Sequence, residues 1–295
     1  MEKYDFSVVM PTFNSEATVK SALSSVRHQC NARVQVIVID GASKDHTCDI
    51  VRAAELPDLV LVSEQDNGIY DAINKGVALA QGRLIGILGS DDTYTENALQ
   101  AALSAHQQSG TGIVAGRTRI GGTPRADEPY GINALISGIP FGHNAMFATR
   151  QTYALVGDYD THYKICADAD WVHRAIRKGV DCTLVDTPFV EFGTGGESSV
   201  QSERIMDETY AIIASNFPGL TTDEAKRLLY AARKWAPATS IADIVARHAG
   251  NTALLSSIAA ALPEAFPAPA TPGPIQALRR FLWSSYTALG RKIRL

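Results

Sequence analysis

Five aspartates stand where open α/β folds do their chemistry. Asp91 and Asp92 are adjacent and follow the apolar run Leu84-Ile85-Gly86-Ile87-Leu88. Paired carboxylates at the carboxyl end of a buried strand suit a divalent cation, Mg²⁺ or Mn²⁺, shared with phosphate oxygens. One aspartate would be enough to cap the next helix. Asp40 closes a second apolar run, Val34 to Ile39. A carboxylate there either accepts from a ribose hydroxyl or a base N–H, or braces its own loop. Asp168 and Asp170 open an amphipathic stretch ended by Gly179. Helix starts favour aspartate as cap and dipole partner, and a carboxylate there is equally a candidate general base. The first strand ends in Pro11-Thr12-Phe13-Asn14-Ser15-Glu16, without G-x-G-x-x-G or a Walker loop. A bound diphosphate must then be neutralised by other means, and a metal on Asp92 would do so.

The elements that must position these groups follow from the hydrophobic pattern. Apolar runs at Phe6 to Met10, Val34 to Ile39, Leu59 to Val62 and Leu84 to Leu88 read as strands. Helical spacing falls between and after them, at Val19, Ala22, Leu23 and Val26, then over about 45–54, 70–80 and 96–108. Strands rich in Val, Ile and Leu, alternating with helices, predict an α/β domain with a doubly wound, mostly parallel sheet. Between Thr118 and Gly142 the composition turns to Gly, Pro and polar residues, which predicts hairpins or a mobile loop. A helix over about 169–178 and a strand near 182–185 follow. The run from Gly193 to Ser199, carrying Glu197, reads as a lid or a linker. After Ser202 the chain turns into a helical C-terminal extension, broken by the Pro/Ala stretch 263–274.

Composition narrows the class. The 295 residues are 45% hydrophobic and 20% charged, ordinary for a globular protein. A net charge of -4 gives no whole-chain attraction to nucleic acid. The four cysteines are widely spaced, without a C-x-x-C pair, which argues against a zinc site or disulfide scaffold. Charged residues Glu2, Lys3 and Asp5 lead straight into a strand, so a cytoplasmic protein is expected. From Arg279 to Leu295, basic residues interleave with Phe281, Leu282, Trp283 and Tyr286. Such a segment is either a peripheral anchor for the inner face of a membrane or a last packed helix with a basic solvated face.

Taken together, Pro11-Thr12-Phe13-Asn14-Ser15-Glu16, Asp40-Gly41-Ala42-Ser43-Lys44-Asp45 and Gly89-Ser90-Asp91-Asp92 resemble the family 2 glycosyltransferases in order and spacing. The likeness covers roughly the first 200 residues. Ser63 to Gly76 is similar to a segment of a bacterial polysaccharide-assembling branch, with Ile73 where many relatives carry arginine. The resemblance implies a GT-A fold, a nucleotide-diphosphate-sugar donor, a glycan or lipid-linked acceptor, a divalent cation and inversion at the anomeric carbon. It implies that Thr12, Phe13, Glu16 and Asp40 line the nucleoside pocket, Lys75 lies near base or phosphate, Asp91 touches ribose and Asp92 holds the metal. Asp168 falls in the slot of the catalytic base, after Ala167 where an acidic residue is common; Asp170 caps the helix or braces the site. His143, Asp170 and Glu197 are candidates for contact with diphosphate or acceptor. The expected division is a transferase domain over 1–205, with a donor half to 118 and an acceptor half from 119, then the helical region 206–295 with its basic tail.

Two other activities fit strand-end carboxylates. A sugar-nucleotide nucleotidyltransferase is one, although its Arg- and Gly-rich first loop is missing here. A non-catalytic sugar-binding protein on the same fold is the other, since fold does not fix function.

Overall fold

The computed structural model describes residues 3–29, 32–125, 128–193 and 202–266. Four parallel strands form its first half, in the order β3 (Leu59–Ser63), β2 (Val34–Asp40), β1 (Tyr4–Thr12) and β4 (Gly82–Ile87). Alternate residues of β1 serve opposite faces, as the pleat requires. Phe6, Val8 and Met10 pack with Val19, Leu23 and Val26 of α1 (Val19–Arg27) and with Leu99 and Ala102 of α4 (Ala98–Ser109). Val9 faces the other way, onto Tyr70 and Ile73 of α3 (Ile69–Leu79). Helix α2 (Thr47–Arg52) completes the first layer through Val51. Both faces are therefore covered, the condition for a doubly wound sheet.

Gly76 sets how closely α3 lies on the sheet. A Cβ at this position would stand 2.3 Å from Cγ1 of Val9. Any larger residue would lift the helix, and Tyr70 with it.

Beyond β4 the sheet continues through β8 (Met146–Thr149), β6 (Ile113–Ile120) and β9 (Cys182–Phe192) to the short β5 (Thr93–Tyr94). Strand β8 runs antiparallel to both β4 and β6, while β6 and β9 are parallel. The Gly- and Pro-rich stretch after Thr118 holds the expected hairpin, made by β6 and β7 (Thr123–Pro124), and also a short buried helix, α5 (Ala134–Ser137). The strand expected near 182–185 extends to Phe192, which carries the chain from the amino edge of the sheet to its carboxyl edge. Helices α6 (Arg150–Val156) and α7 (Ala167–Arg177) follow β8.

The C-terminal helices α8 (Ser202–Ser215), α9 (Thr222–Ala232), α10 (Ala242–Arg247) and α11 (Thr252–Ala261) share a core with the sheet. Ile213, Phe217, Leu228, Ile244 and Ile258 belong to the same apolar cluster as Val9, Trp171 and Ile176. Glu197, the remainder of its glycine loop and the basic tail 279–295 lie outside the described residues.

Candidate active site

The ends of β1, β2 and β4 are stitched together by their own loops. Asn14 donates its backbone N–H to Ser43 Oγ at 2.8 Å and accepts from the Lys44 backbone at 2.9 Å. Glu16 Oε2 accepts from the His46 backbone at 2.9 Å, and Ser15 Oγ meets Ser90 Oγ at 2.8 Å. Asp40 is fully buried beneath this lacework. Its Oδ1 accepts from Ser43 Oγ at 2.5 Å and Thr12 Oγ1 at 3.3 Å; its Oδ2 accepts from Ser63 Oγ at 2.7 Å and the Ser43 backbone at 3.0 Å. Burial pushes this carboxyl up, but the hydrogen bonds from Ser43 and Ser63 outweigh it and hold it below its usual value. Donors from Thr12, Ser43 and Ser63 occupy both oxygens and Cys48 adds a further contact, so Asp40 acts on its loop in this structure.

That loop forms the floor of a slot. Gly41 lies between Phe13 and Asp66: a Cβ there would stand 3.3 Å from the Phe13 ring and 2.7 Å from Asp66 Oδ2. Phe13 is 63% exposed, an apolar ring held at the sheet edge by a rigid loop. Such a face suits a flat ligand. Lys75 is engaged elsewhere, with Glu64 Oε1 at 2.9 Å, Asp71 Oδ2 at 3.4 Å and the Gln65 carbonyl at 3.3 Å. Its role here is to fasten α3 to the end of β3.

Asp91 and Asp92 converge as their spacing predicted. The Cβ position of Gly89 is 3.1 Å from Asp91 Oδ1 and 2.8 Å from Asp92 Oδ2, so both carboxylates border one small volume above the turn. Neither caps α4, which begins after Asn97. Asp92 is buried, accepting from Asn144 Nδ2 at 2.9 Å and the Gly193 backbone at 2.8 Å. Burial raises the carboxyl of Asp91. Burial likewise raises Asp92; bonds from Asn144 and Gly193 pull it back, the charge of Asp91 pushes it further, and the net is upward. Among the described residues, no group of three or more His, Cys, Asp or Glu side chains could hold a metal by itself. Two crowded carboxylates with raised proton affinity fit a hard cation that draws its remaining ligands from phosphate and water.

In the second half of the chain, Asp168 is half-buried in the first turn of α7. Its Oδ1 accepts from the Ala169 backbone at 2.8 Å and Tyr70 Oη at 3.3 Å. Asp170 is turned away, accepting from Arg174 Nε at 2.7 Å, while Arg174 reaches the carbonyls of Val156 and Asp158. It braces the loop that leads into the helix. His143 Nε2 lies 2.8 Å from Tyr159 Oη, and burial lowers its pKa against the pull of Asp168. The two centres are joined by one short turn, because His143 belongs to the Asp168 side and the next residue, Asn144, binds Asp92.

The family model described as Glycosyl transferase family 2 matches residues 7–174, more than half of the chain. The chain belongs to this family. The transferase is 29% identical over 208 residues to a PGL/p-HBAD biosynthesis glycosyltransferase of Mycobacterium bovis, covering 67% of this chain and 81% of that one. It is 32% identical over 105 residues to the Escherichia coli UDP-Glc:alpha-D-GlcNAc-diphosphoundecaprenol beta-1,3-glucosyltransferase WfgD, covering 35% and 42% of the two chains. Among solved structures, Staphylococcus aureus TarS 1-349 in complex with UDP-GlcNAc superposes with a TM-score of 0.61 at 16% identity, over 81% of this chain and 75% of that one. The transferase spans 45% of the longer TarS chain. The mannosyltransferase PcManGT from Pyrobaculum calidifontis, in complex with GDP-Man and Mn2+, gives 0.59 at 20% identity, over 99% and 82%. These likenesses establish the GT-A fold.

Several residues of the transferase's site escape a reading by motif. Asn144 had a signal, its place beside His143; Tyr159 and Gly193 had none that spacing discloses. Gly193 is pressed against Asp91: a Cβ there would lie 2.3 Å from the Asp91 carbonyl oxygen. Gly193→Ala must therefore displace the end of β9 or the Asp91-Asp92 turn. The expected cost is about 1–3 kcal/mol of stability, with turnover down at least ~10-fold because Asp92 loses its backbone donor. Melting and turnover measured side by side check this; parent values for both would show that the contact is not made.

Proposed function

We propose that the transferase moves a sugar, with inversion, from a nucleotide-diphosphate-sugar to a hydroxyl of a glycan or lipid-linked acceptor in cell-surface polysaccharide synthesis. The observation that supports this reading is the His143–Asn144 turn, which binds Asp92 through Asn144 and feels the charge of Asp168 at His143. The names of relatives support it: UDP-GlcNAc and GDP-Man are nucleotide-sugars, and WfgD is named for a diphosphoundecaprenol acceptor.

In this reading the nucleobase lies on Phe13 over Gly41, with Thr12, Glu16 and Asp40 holding the pocket and Lys75 holding the helix behind it. Asp91 receives the ribose. Asp92, with Asp91 beside it, would hold a divalent cation, Mn²⁺ or Mg²⁺, and the cation when bound would supply positive charge to the diphosphate. Asp168 removes the proton of the acceptor hydroxyl as its oxygen bonds to the anomeric carbon, and the electron pair of the breaking C–O bond leaves with the diphosphate. In the same reading His143 contacts the acceptor or the diphosphate, and Glu197 is assigned a like contact. A cytoplasmic enzyme at the inner face of the membrane, held there through 279–295, would reach a lipid-linked acceptor. Among the described residues no helix is long and apolar enough to cross a membrane.

Incubation with UDP- and GDP-sugars, Mn²⁺ and lipid-linked or free glycan acceptors tests the reaction class. Release of nucleoside diphosphate together with a lengthened glycan is expected. Release of pyrophosphate would identify a nucleotidyltransferase, and donor binding without turnover on any acceptor would favour a binding protein.

A further inference from the structure

We infer that Tyr70 and Glu208 are positioning residues for Asp168, gripping from opposite sides the single peptide group that opens its helix. The inference rests on the reading of Asp168 as the base. The peptide is Ile165–Cys166, and Cys166 immediately precedes the first residue of α7. Its carbonyl end, Ile165 O, accepts from Tyr70 Oη at 2.5 Å. Its amide end, Cys166 N–H, donates to Glu208 Oε2 at 2.9 Å.

Glu208 does more than meet one amide. Oε2 also accepts from the Ile165 backbone at 2.9 Å, and Oε1 accepts from the Lys164 backbone at 2.9 Å. Three successive N–H groups converge on one carboxylate, an anion nest filled by a side chain of the protein itself. Bonds of this type, with one partner ionised, are about twice as strong as neutral ones. With both ends of the peptide dipole fixed, the direction of the first turn of α7 is fixed, and Asp168 is the second residue of that turn.

Tyr70 closes the arrangement because its hydroxyl also touches Asp168 Oδ1 at 3.3 Å. Burial and the neighbouring charge of Asp168 keep the phenol protonated, so it remains a donor. Its ring stacks on Tyr159 at 5.8 Å, and the Tyr159 backbone is tied to the Asn74 amide by two bonds of 2.9 Å. Tyr70 thus cannot swing away without separating α3 from the acceptor half. Glu208 arrives from α8, beyond the 7–174 stretch that the family model matches. The C-terminal helices accordingly act on turnover without touching substrate.

The test uses the full chain, with transfer followed as nucleoside diphosphate released from UDP- and GDP-sugars, donor-site integrity as the affinity for UDP and GDP with Mn²⁺, and melting temperature alongside. Tyr70→Phe keeps the ring and removes the hydroxyl. Glu208→Gln keeps the shape and sets an NH₂ group against backbone N–H groups. Tyr70→Phe is expected to lower kcat on the order of 10-fold with nucleotide affinity and melting temperature unchanged. Glu208→Gln should lower kcat by at least as much, with a lower melting temperature. In an Asp168→Asn background, Tyr70→Phe should cost nothing further, because residues acting as a unit are not additive. Full turnover in both single variants while Asp168→Asn is crippled would overturn the clamp alone, as would losses that add fully to that of Asp168→Asn. Normal turnover in Asp168→Asn would instead overturn the base reading. If Glu208→Gln does not fold, Tyr70→Phe and the double variant still decide.

Discussion

Asp168→Asn is expected to lower transfer by on the order of 10³-fold while UDP or GDP affinity stays within about twofold of the parent. The substitution is close to isosteric, and the asparagine oxygen still accepts from the Ala169 backbone and Tyr70 Oη, the two bonds that fix the side chain now. What is lost is the capacity to take a proton, and positioned proton acceptors are worth about 10²- to 10⁴-fold. The nearby groups are engaged elsewhere: Asp170 is committed to Arg174 at 2.7 Å, and His143 Nε2 is paired with Tyr159 Oη at 2.8 Å. Donor affinity should be spared, because the Phe13 slot and the Asp91-Asp92 turn belong to other elements. Single-turnover transfer and nucleotide titration on the same preparation check both halves. Near-normal turnover would remove Asp168 from its role; joint loss of turnover and nucleotide affinity would mean that the variant disturbs the donor site.

Much of this site was legible because its chemistry sits at strand ends, where a near-continuous apolar run stops and a carboxylate begins. Asp40, Asp91 and Asp92 each follow such a run, and the sheet order β2-β1-β4 then brings them to one edge. Helix α7 was equally plain, with its acidic first turn and Gly179 at its end. The antiparallel strand β8 was not, since Met146 to Thr149 is too short to show a period and is specified by pairing with Gly86 and Val114. Contacts between distant segments were the least visible. Tyr70 reads correctly as a buried residue on the apolar face of α3, but its hydroxyl finds Asp168, 98 positions away, only through the packing of α3 on β1. Glu208 carries no motif, and it meets residues 164–166 only because α8 packs back over them. Ala167, which departs from the family's acidic residue at that position, is fully buried. A carboxylate there would have to be desolvated beside Asp168, so the substitution removes a charge that this packing could not shelter.

The opposite balance of binding and stability is expected at Asp92. Asp92→Asn should abolish both turnover and metal-dependent nucleotide binding, yet leave the ligand-free protein as stable as the parent or more so. Burial raises the carboxyls of Asp91 and Asp92 in the folded chain, so the folded state holds their protons more tightly than the unfolded state does. Their contribution favours folding at pH values below the ordinary carboxylate range and is lost as pH rises through the raised values. Ionising either carboxyl therefore costs the ligand-free fold, and the charge of Asp91 adds to the cost at Asp92. An asparagine removes one of those charges and can still accept from the Gly193 backbone through its amide oxygen, while its amide nitrogen faces Asn144, whose side chain must turn its own oxygen inward to accept. A divalent cation with a nucleoside diphosphate reverses the account in the parent: at 100 times Kd it adds about 2.7 kcal/mol, roughly 5 °C for a chain of this size. In Asp92→Asn this increment should vanish, and transfer should fall by ~10³-fold or more. Melting curves with and without Mn²⁺ and UDP or GDP, taken at neutral pH and again near pH 4, separate the two effects. The parent should gain on the variant as pH falls, since protonation then removes from Asp92 the charge that the asparagine already lacks. A variant that still melts higher with Mn²⁺ and nucleotide would place the cation elsewhere, and a variant markedly less stable without ligand would make Asp92 a structural anchor for Asn144 and Gly193.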